Sequence, residues 1–378
     1  MFEIRNYECI KNLVETHCIP CDWRTLSVVH AYMSQSMFDH AYDRYKSFHD
    51  MDPELADLVM VVTKESTNPS LQDLRASNAK GAFVQKHAAS VWPYKFVSWI
   101  LERLLTANES SAPSFNLQTN TAVTRLQKTD DRSWIVHTER GMIATKKVLL
   151  TTNAYTSFLL PEFRDLIVPV RGEMSSLTSP RTMKPGTDNP PLEYSYGFMG
   201  NGDQSGHQDD YLVQRPYGLD KTGGELMFGG GRSYAAKGGV GVSDDSSIDP
   251  PAAEYLRQQI NFVLDTRSDE TELKATYEWS GIMGFSRDSR PWVGAVSEDL
   301  GLGGGEGLFI CAGFTGHGMP NACLSARAAV HLILGRKEED IDLPSIYWIS
   351  KPRLEKARLF ETVDIADAAG TFGGDNYS

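Results

Sequence analysis

The stretch that most constrains this chain is 301–335, GLGGGEGLFICAGFTGHGMPNACLSARAAVHLILG. Gly303, Gly304 and Gly305 read as a turn. Leu308 to Ala312 is a short apolar run, as expected of a strand buried on both faces. Gly313-Phe314-Thr315-Gly316-His317-Gly318-Met319-Pro320 then turns the chain. From Asn321 to Leu334 the Ala- and Leu-rich composition favours a helix, with Pro320 suited to its first turn and Gly335 to its exit. Glycines ahead of a helix leave backbone amides uncovered at its positive end, where a polar planar ligand can lie. The same turn can equally serve only to pack strand on helix, and the residues by themselves leave both readings open.

The run GLFICAGFTGHGMPNA also resembles the C-terminal flavin motif of the FAD-dependent oxidoreductases related to D-amino-acid, glycine and sarcosine oxidases, and is most similar to a fungal branch of them. The resemblance implies FAD as cofactor and oxidation of the C–N bond of a small amine or amino-acid-like substrate, by hydride transfer to flavin with oxygen as acceptor. It places Gly313, Phe314, Gly316, His317, Gly318 and Met319 against the isoalloxazine, with the amides of residues 317 to 319 near its pyrimidine oxygen. It places the main chain of Val123 at the adenine half, and Thr152 and Asn153 near the pyrophosphate or ribose.

The segment Trp279 to Gly294, WSGIMGFSRDSRPWVG, resembles the family's other C-terminal signature, and Asp288, Pro291 and Gly294 keep its pattern. Met283 stands where amino-acid-oxidising relatives carry an arginine for the substrate carboxylate. Gly281 stands where covalently flavinylated relatives carry a cysteine. A free amino acid is therefore a less favoured substrate, and FAD is expected to be held non-covalently. Arg232 and Arg290 are the alternative grips for an anion, because a guanidinium bonds a carboxylate through two donors. His317 is the candidate for tuning the flavin. Tyr211 and Tyr234 are candidates for an aromatic wall beside an amine, and His87 lies near the expected substrate edge.

A dinucleotide fold opens with strand, GxGxxG and helix. That fingerprint is absent from these 378 residues. Gly301 to Gly305 is not a substitute, because it precedes a strand. The expectation is a truncated form of an active oxidase, in which catalysis and tight FAD binding by this chain are open. The alternative is a non-catalytic binding or regulatory protein that reuses the fold.

The expected fold is α/β, an incomplete Rossmann-like FAD-binding domain interleaved with an α+β substrate domain of mainly antiparallel sheet. Residues 1–80 and 171–280 are assigned to the substrate region, 81–170 and 281–350 to the FAD-binding region, and 351–378 to a C-terminal extension. Helices are expected over 1–17, 34–66, 93–105 and 251–263. Strands are expected over 115–126, 133–147, 148–152, 174–177, 194–198, 209–216, 225–232 and 273–279. Val148 to Thr152 is the candidate parallel strand, since it has no polar face. Phe360 to Ser378 lacks apolar periodicity.

A net charge of −12 disfavours nucleic acid as a partner. The five cysteines include one CxxC, Cys18 to Cys21, without a second pair to complete a zinc site, so no metal is expected. No apolar run has the length of a membrane span. With no signal peptide at the start and no targeting tripeptide at the end, the expected location is the cytoplasm, with the peroxisome an alternative.

Overall fold

The computed structural model describes residues 1–106, 115–200, 209–218 and 222–360. The strands are β1 Arg24–Tyr32, β2 Val59–Val62, β3 Gly81–Ser90, β4 Val123–Lys128, β5 Trp134–Thr138, β6 Gly141–Thr145, β7 Val148–Leu150, β8 Ile167–Leu177, β9 Tyr194–Met199, β10 Asp209–Gln214, β11 Leu226–Gly230, β12 Ala275–Ser286, β13 Trp292–Ala295 and β14 Leu308–Ala312. The α-helices are α1 Phe2–His17, α2 Gln35–Met51, α3 Pro53–Ala56, α4 Pro93–Thr106, α5 Thr156–Leu159, α6 Pro250–Val263, α7 Gly318–Ile333 and α8 Lys351–Ala357. They divide between two compact units, one of residues 1–23, 91–170 and 283–360, the other of residues 24–90 and 171–282. The architecture is the expected mixture of an α/β layer with a large, mostly antiparallel sheet.

The first unit is built on the sheet β13-β14-β7. β14 pairs parallel with β7, Leu308 opposite Val148 and Ile310 opposite Leu150, and antiparallel with β13. Val148–Leu150 is thus the parallel strand that its apolar run suggests. Leu150, Trp292, Leu308 and Ile310 share one core with Phe163, Leu166 and Ile167. The antiparallel meander β4-β5-β6 joins that core through Trp134, whose indole N–H donates to the Glu306 carbonyl at 2.8 Å. Against α4, Phe96 and Trp99 pack with Val14, Ile19 and Cys21.

The second unit carries an eight-stranded sheet in the order β12-β8-β11-β10-β9-β1-β3-β2. β1 and β9 run parallel, while β3 is antiparallel to both β1 and β2, and β10 is antiparallel to both β9 and β11. α6 starts on two prolines and closes one face, its Tyr255, Leu256, Ile260 and Val263 packed in one core with Leu212, Phe228 and Phe198.

Four expectations are corrected. Residues 59–62 are a strand, not helix: three of the four residues in Val-Met-Val-Val are β-branched, and the run pairs along β3. Residues 115–119 alternate in polarity yet lie outside the strands, because alternation alone supplies no ladder partner; pairing starts at Val123 opposite Thr138. Helix 1–17 belongs with the first unit instead of with residues 24–80, because buried Asn6 bonds to α7; β3 belongs with the second, because it pairs with β1. Residues 351–360 are part of the first unit's packing, with Leu354 and Ala357 of α8 buried in its core. The rest of the expected C-terminal extension, 361–378, lies outside the described residues.

Candidate functional site

The glycine turn after β14 is held from two directions. On one side the Asn153 side-chain oxygen accepts from the Gly313 amide at 2.9 Å and the Phe314 amide at 3.3 Å. Asn153 itself sits at φ 44, a left-handed backbone that Asn tolerates better than most residues. On the other side, the end of β12 takes Thr315: its amide donates to the Gly284 carbonyl at 2.8 Å, and its hydroxyl accepts from the Ser286 amide at 3.0 Å. The His317 amide donates to the Phe314 carbonyl at 2.8 Å. The His317 ring nitrogen Nδ1 is 3.1 Å from the Thr315 carbonyl. A carbonyl only accepts, so Nδ1 carries the proton in that bond, and in the neutral ring Nε2 is the acceptor nitrogen.

These bonds revise the expected donor set. The amide of residue 317 is already committed, and Pro320 has none. Helix geometry leaves the amides of Gly318 and Met319 without an intrahelical acceptor, so these two remain as donors at the start of α7. Whether each glycine is needed by the chain itself can be judged from the space around it. A Cβ on Gly304 would lie 1.9 Å from the Val296 carbonyl oxygen, so that glycine is required by packing alone. A Cβ on Gly318 would meet nothing nearer than Phe314 Cβ, at 3.8 Å, an ordinary contact, and Gly318 has no positive φ. At Gly316 the φ of 74 is reason enough for glycine, and its nearest neighbours would be Met283 Sδ and Phe285 Cζ at 4.0 Å. Neither strain nor crowding within the chain explains Gly318, whereas a flat ligand lying against it would.

Helix α7 is anchored by α1, a support that the sequence reading did not find. Asn6, fully buried, donates to the Met319 carbonyl at 3.1 Å and accepts from the Leu324 amide at 3.0 Å. Asn321 donates to the His317 carbonyl and to Glu3 Oε1, both at 3.1 Å, and accepts from the Tyr347 hydroxyl at 3.0 Å. An asparagine inside a helix that is otherwise amphipathic was the available signal: such a residue is poor helix former and earns its place by bonds elsewhere.

The second signature has a structural purpose in this chain. Arg353 of α8 grips Asp288 with two donors at 2.8 and 3.0 Å, and donates to the carbonyls of Arg290, Pro291 and Tyr347. Its guanidinium lies 3.7 Å from the centroid of the Trp292 ring. Ser286 joins the set, donating to Asp288 Oδ1 at 2.8 Å and accepting from the Trp292 indole N–H at 2.9 Å. Arg290 lies beside this set in a tight turn, its amide donating to Asp288 Oδ1 at 3.3 Å.

Of the residues singled out from sequence, Gly313, Phe314, Gly316, His317, Gly318, Met319 and Asn153 come together at the turn. Thr152 precedes Asn153, its hydroxyl 2.9 Å from that of Thr156. Val123 begins β4 in the separate meander, and Arg290 lies in the same unit. Arg232 lies in the other unit, in a short turn after β11. His87 is there too, exposed in β3 at φ 60. The aromatic wall of Tyr211 and Tyr234 does not form. Tyr234 stacks on Tyr255 at 4.3 Å, and Tyr255 donates to Asp210 Oδ2 at 2.6 Å. Asp210 and Tyr211 are successive strand residues and point to opposite faces of the sheet. Among the described residues no cluster of three or more His, Cys, Asp and Glu is placed to hold a metal, and no helix is long and apolar enough to cross a membrane.

Comparison with solved structures finds the same fold in enzymes of low sequence identity. Glycine oxidase from Geobacillus kaustophilus matches with TM-score 0.66 at 19% identity, over 92% of this chain and 81% of that one. L-proline dehydrogenase from P. horikoshii matches with TM-score 0.65 at 16% identity, over 94% and 83%. L-alpha-glycerophosphate oxidase from Mycoplasma pneumoniae, solved with FAD bound, matches with TM-score 0.61 at 13% identity, over 89% and 79%. No curated protein matches the sequence. The model of the DAO family, FAD dependent oxidoreductase, matches residues 2–332, well over half of the chain, and the protein belongs to that family.

Proposed function

We propose that the Gly313–Met319 turn receives the isoalloxazine of a non-covalently held FAD, and that the protein oxidises the C–N bond of a small amine or amino-acid-like molecule, with oxygen as final acceptor. The observation that carries this reading is Gly318, a glycine that neither backbone strain nor packing requires, beside the two unclaimed amides of α7. When bound, FAD supplies the hydride acceptor, which is the difficult part of the chemistry. The chain's part is to hold and orient. The amides of Gly318 and Met319, at the positive end of a sixteen-residue helix, favour negative charge on the ring edge they face. His317 presents Nε2 as an acceptor. Asn153 Oδ1 accepts within the turn, so Asn153 shapes that turn, and its Nδ2, a donor, stands with Thr152 and Val123 for the nucleotide half.

The fit is good at the flavin end and poor at the diphosphate end, because this sequence has no GxGxxG loop to cradle the phosphates. FAD affinity of the chain as it stands is therefore expected to be weak. The substrate reading follows from Met283, whose sulfur is, with Phe285 Cζ, one of the two nearest neighbours that a Cβ on Gly316 would meet, both at 4.0 Å. A thioether offers no charge to a carboxylate, which favours an amine over a free amino acid. If the substrate is anionic, Arg232 and Arg290 are the candidate grips. Two of the three similar folds reported above are named for amino-acid substrates and one for a glycerophosphate, so the C–N preference rests on the motif and Met283.

The test is titration of FAD with the full chain, following quenching of flavin fluorescence. Gly318→Val is expected to weaken binding by tenfold or more, about 1.4 kcal/mol, with little change in melting temperature. His317→Ala is expected to be milder, because the main-chain donors remain. Acid precipitation should leave all flavin in the supernatant. Equal FAD affinity for Gly318→Val and wild type would reduce this site to a packing turn. No FAD binding by the wild-type chain would favour the non-catalytic reading.

A further inference from the structure

Cys9 on α1 and Cys323 on α7 face each other, their sulfurs 4.0 Å apart, and both are free thiols. The helices cannot easily move apart there. Asn6 lies one helical turn before Cys9, on the same face of α1, and bonds α7 on both sides of Cys323, at Met319 and Leu324. No third metal-ligating group completes a metal site with the pair among the described residues.

We propose that Cys9 and Cys323 form a dithiol site that a hydroperoxide oxidises to an intrachain disulfide, locking α1 to α7. A disulfide bond is about 2.05 Å long, so closure moves the sulfurs together by about 2 Å, which side-chain rotation supplies. Cys9 attacks a peroxide oxygen; the O–O bond breaks, one oxygen stays on sulfur as a sulfenic acid, and water or an alcohol leaves. Cys323 sulfur then attacks Cys9 sulfur; the S–S bond forms, the S–O bond breaks, and hydroxide leaves to take up the thiol's proton. Two electrons pass from the sulfurs to the peroxide, and the two thiol protons end in the products. Burial pushes the Cys323 thiol up to about 11, with the Cys9 sulfur adding to the effect and Arg327 opposing it. Cys323 therefore suits the second step, at short range, better than the first. The remaining cysteines are poorer candidates. Cys311 is buried and pushed up to about 12, Cys21 is fully buried, and Cys18 is exposed and donates to the Glu15 carbonyl.

The site is independent of whether FAD binds, so its test needs no flavin. The full chain is treated with hydrogen peroxide, its free thiols are alkylated under denaturing conditions, and the digest is read by mass spectrometry. Free thiols are expected to fall from five to three, with the peptides of Cys9 and Cys323 joined and lighter by two hydrogens. Dithiothreitol should restore all five, and the oxidised form should melt at higher temperature than the reduced one. In Cys323→Ser, Cys9 should instead be trapped as a sulfenic acid by dimedone. Five alkylatable thiols after peroxide, or a disulfide that joins a different pair, would overturn the proposal, and both are read on the wild-type chain even if the variant fails to fold.

Discussion

Asn153 shows how one side chain sets a turn. Its oxygen is the acceptor for two successive amides at Gly313 and Phe314, and it does so from a backbone of positive φ. Asn153→Gly removes the acceptor without straining the backbone, and should cost about 1–3 kcal/mol for leaving the amides unsatisfied. Asn153→Asp keeps an oxygen in place and should recover most of that loss, as measured by chemical denaturation. A second residue-scale case is Asp131. Hydrogen bonds from the hydroxyls of Ser133 and Thr129, and from the Ser133 amide, hold its carboxyl down to about 2. Because its folded value is depressed below the unfolded value of about 3.9, any stabilisation it gives is complete above that pH and is lost as the pH falls through about 2. In an NMR titration Asp131 should titrate near 2, and Ser133→Ala should move it upward; a midpoint near 3.9 in the wild type would contradict these contacts.

Among the elements, α8 illustrates a helix recruited by one buried charge. Ser350 caps it, Leu354 and Ala357 bury its inner face, and Arg353 reaches Asp288 with both side chains almost wholly out of solvent. Arg353→Met would leave a buried carboxylate with only the Ser286 hydroxyl and the Arg290 amide as donors, and three carbonyls without Arg353. Breaking a buried pair from one side costs about 3–5 kcal/mol, and Asp288→Asn in the same chain should return part of that by removing the charge. Urea unfolding midpoints of the single and double variants test this; equal midpoints for wild type and Arg353→Met would show the pair to be idle. α1 supports α7 in a different way, through asparagine bonds, two between Asn6 and the α7 backbone and one from Asn321 to the Glu3 carboxylate.

At the scale of the whole molecule, charge governs behaviour in solution. A net charge of −12 and a pI near 5.3 mean that self-repulsion keeps molecules apart at neutral pH and fades as carboxylates protonate. Solubility in low salt should therefore pass through a minimum near pH 5.3, measurable by turbidity. A minimum above pH 7 would mean that bound ions or modification have changed the charge.

What the sequence by itself determined was local. Leu308 to Ala312 and Val148 to Leu150 are apolar on both sides, and that is sufficient to mark strands of a covered sheet. Asp52 and Pro53 start a helix because the Asp52 carboxylate accepts from the Leu55 amide and Pro53 needs no partner. The glycine turn was legible as a place for a ligand or for close packing, and the motif chose between them only as far as the family. Tertiary structure decided the rest, because it depends on partners distant in the chain. The apolar run Val59–Val62 became a strand because β3 offered an edge, while residues 115–119, despite their alternation, had no such edge. Asn6 reaches Met319 and Leu324, and Asn321 reaches Glu3, across more than three hundred residues of chain, and no spacing rule connects them. Asn153 stands near the nucleotide by its position in the motif order; that its side-chain oxygen also closes the turn, only the positions of two backbone amides could show.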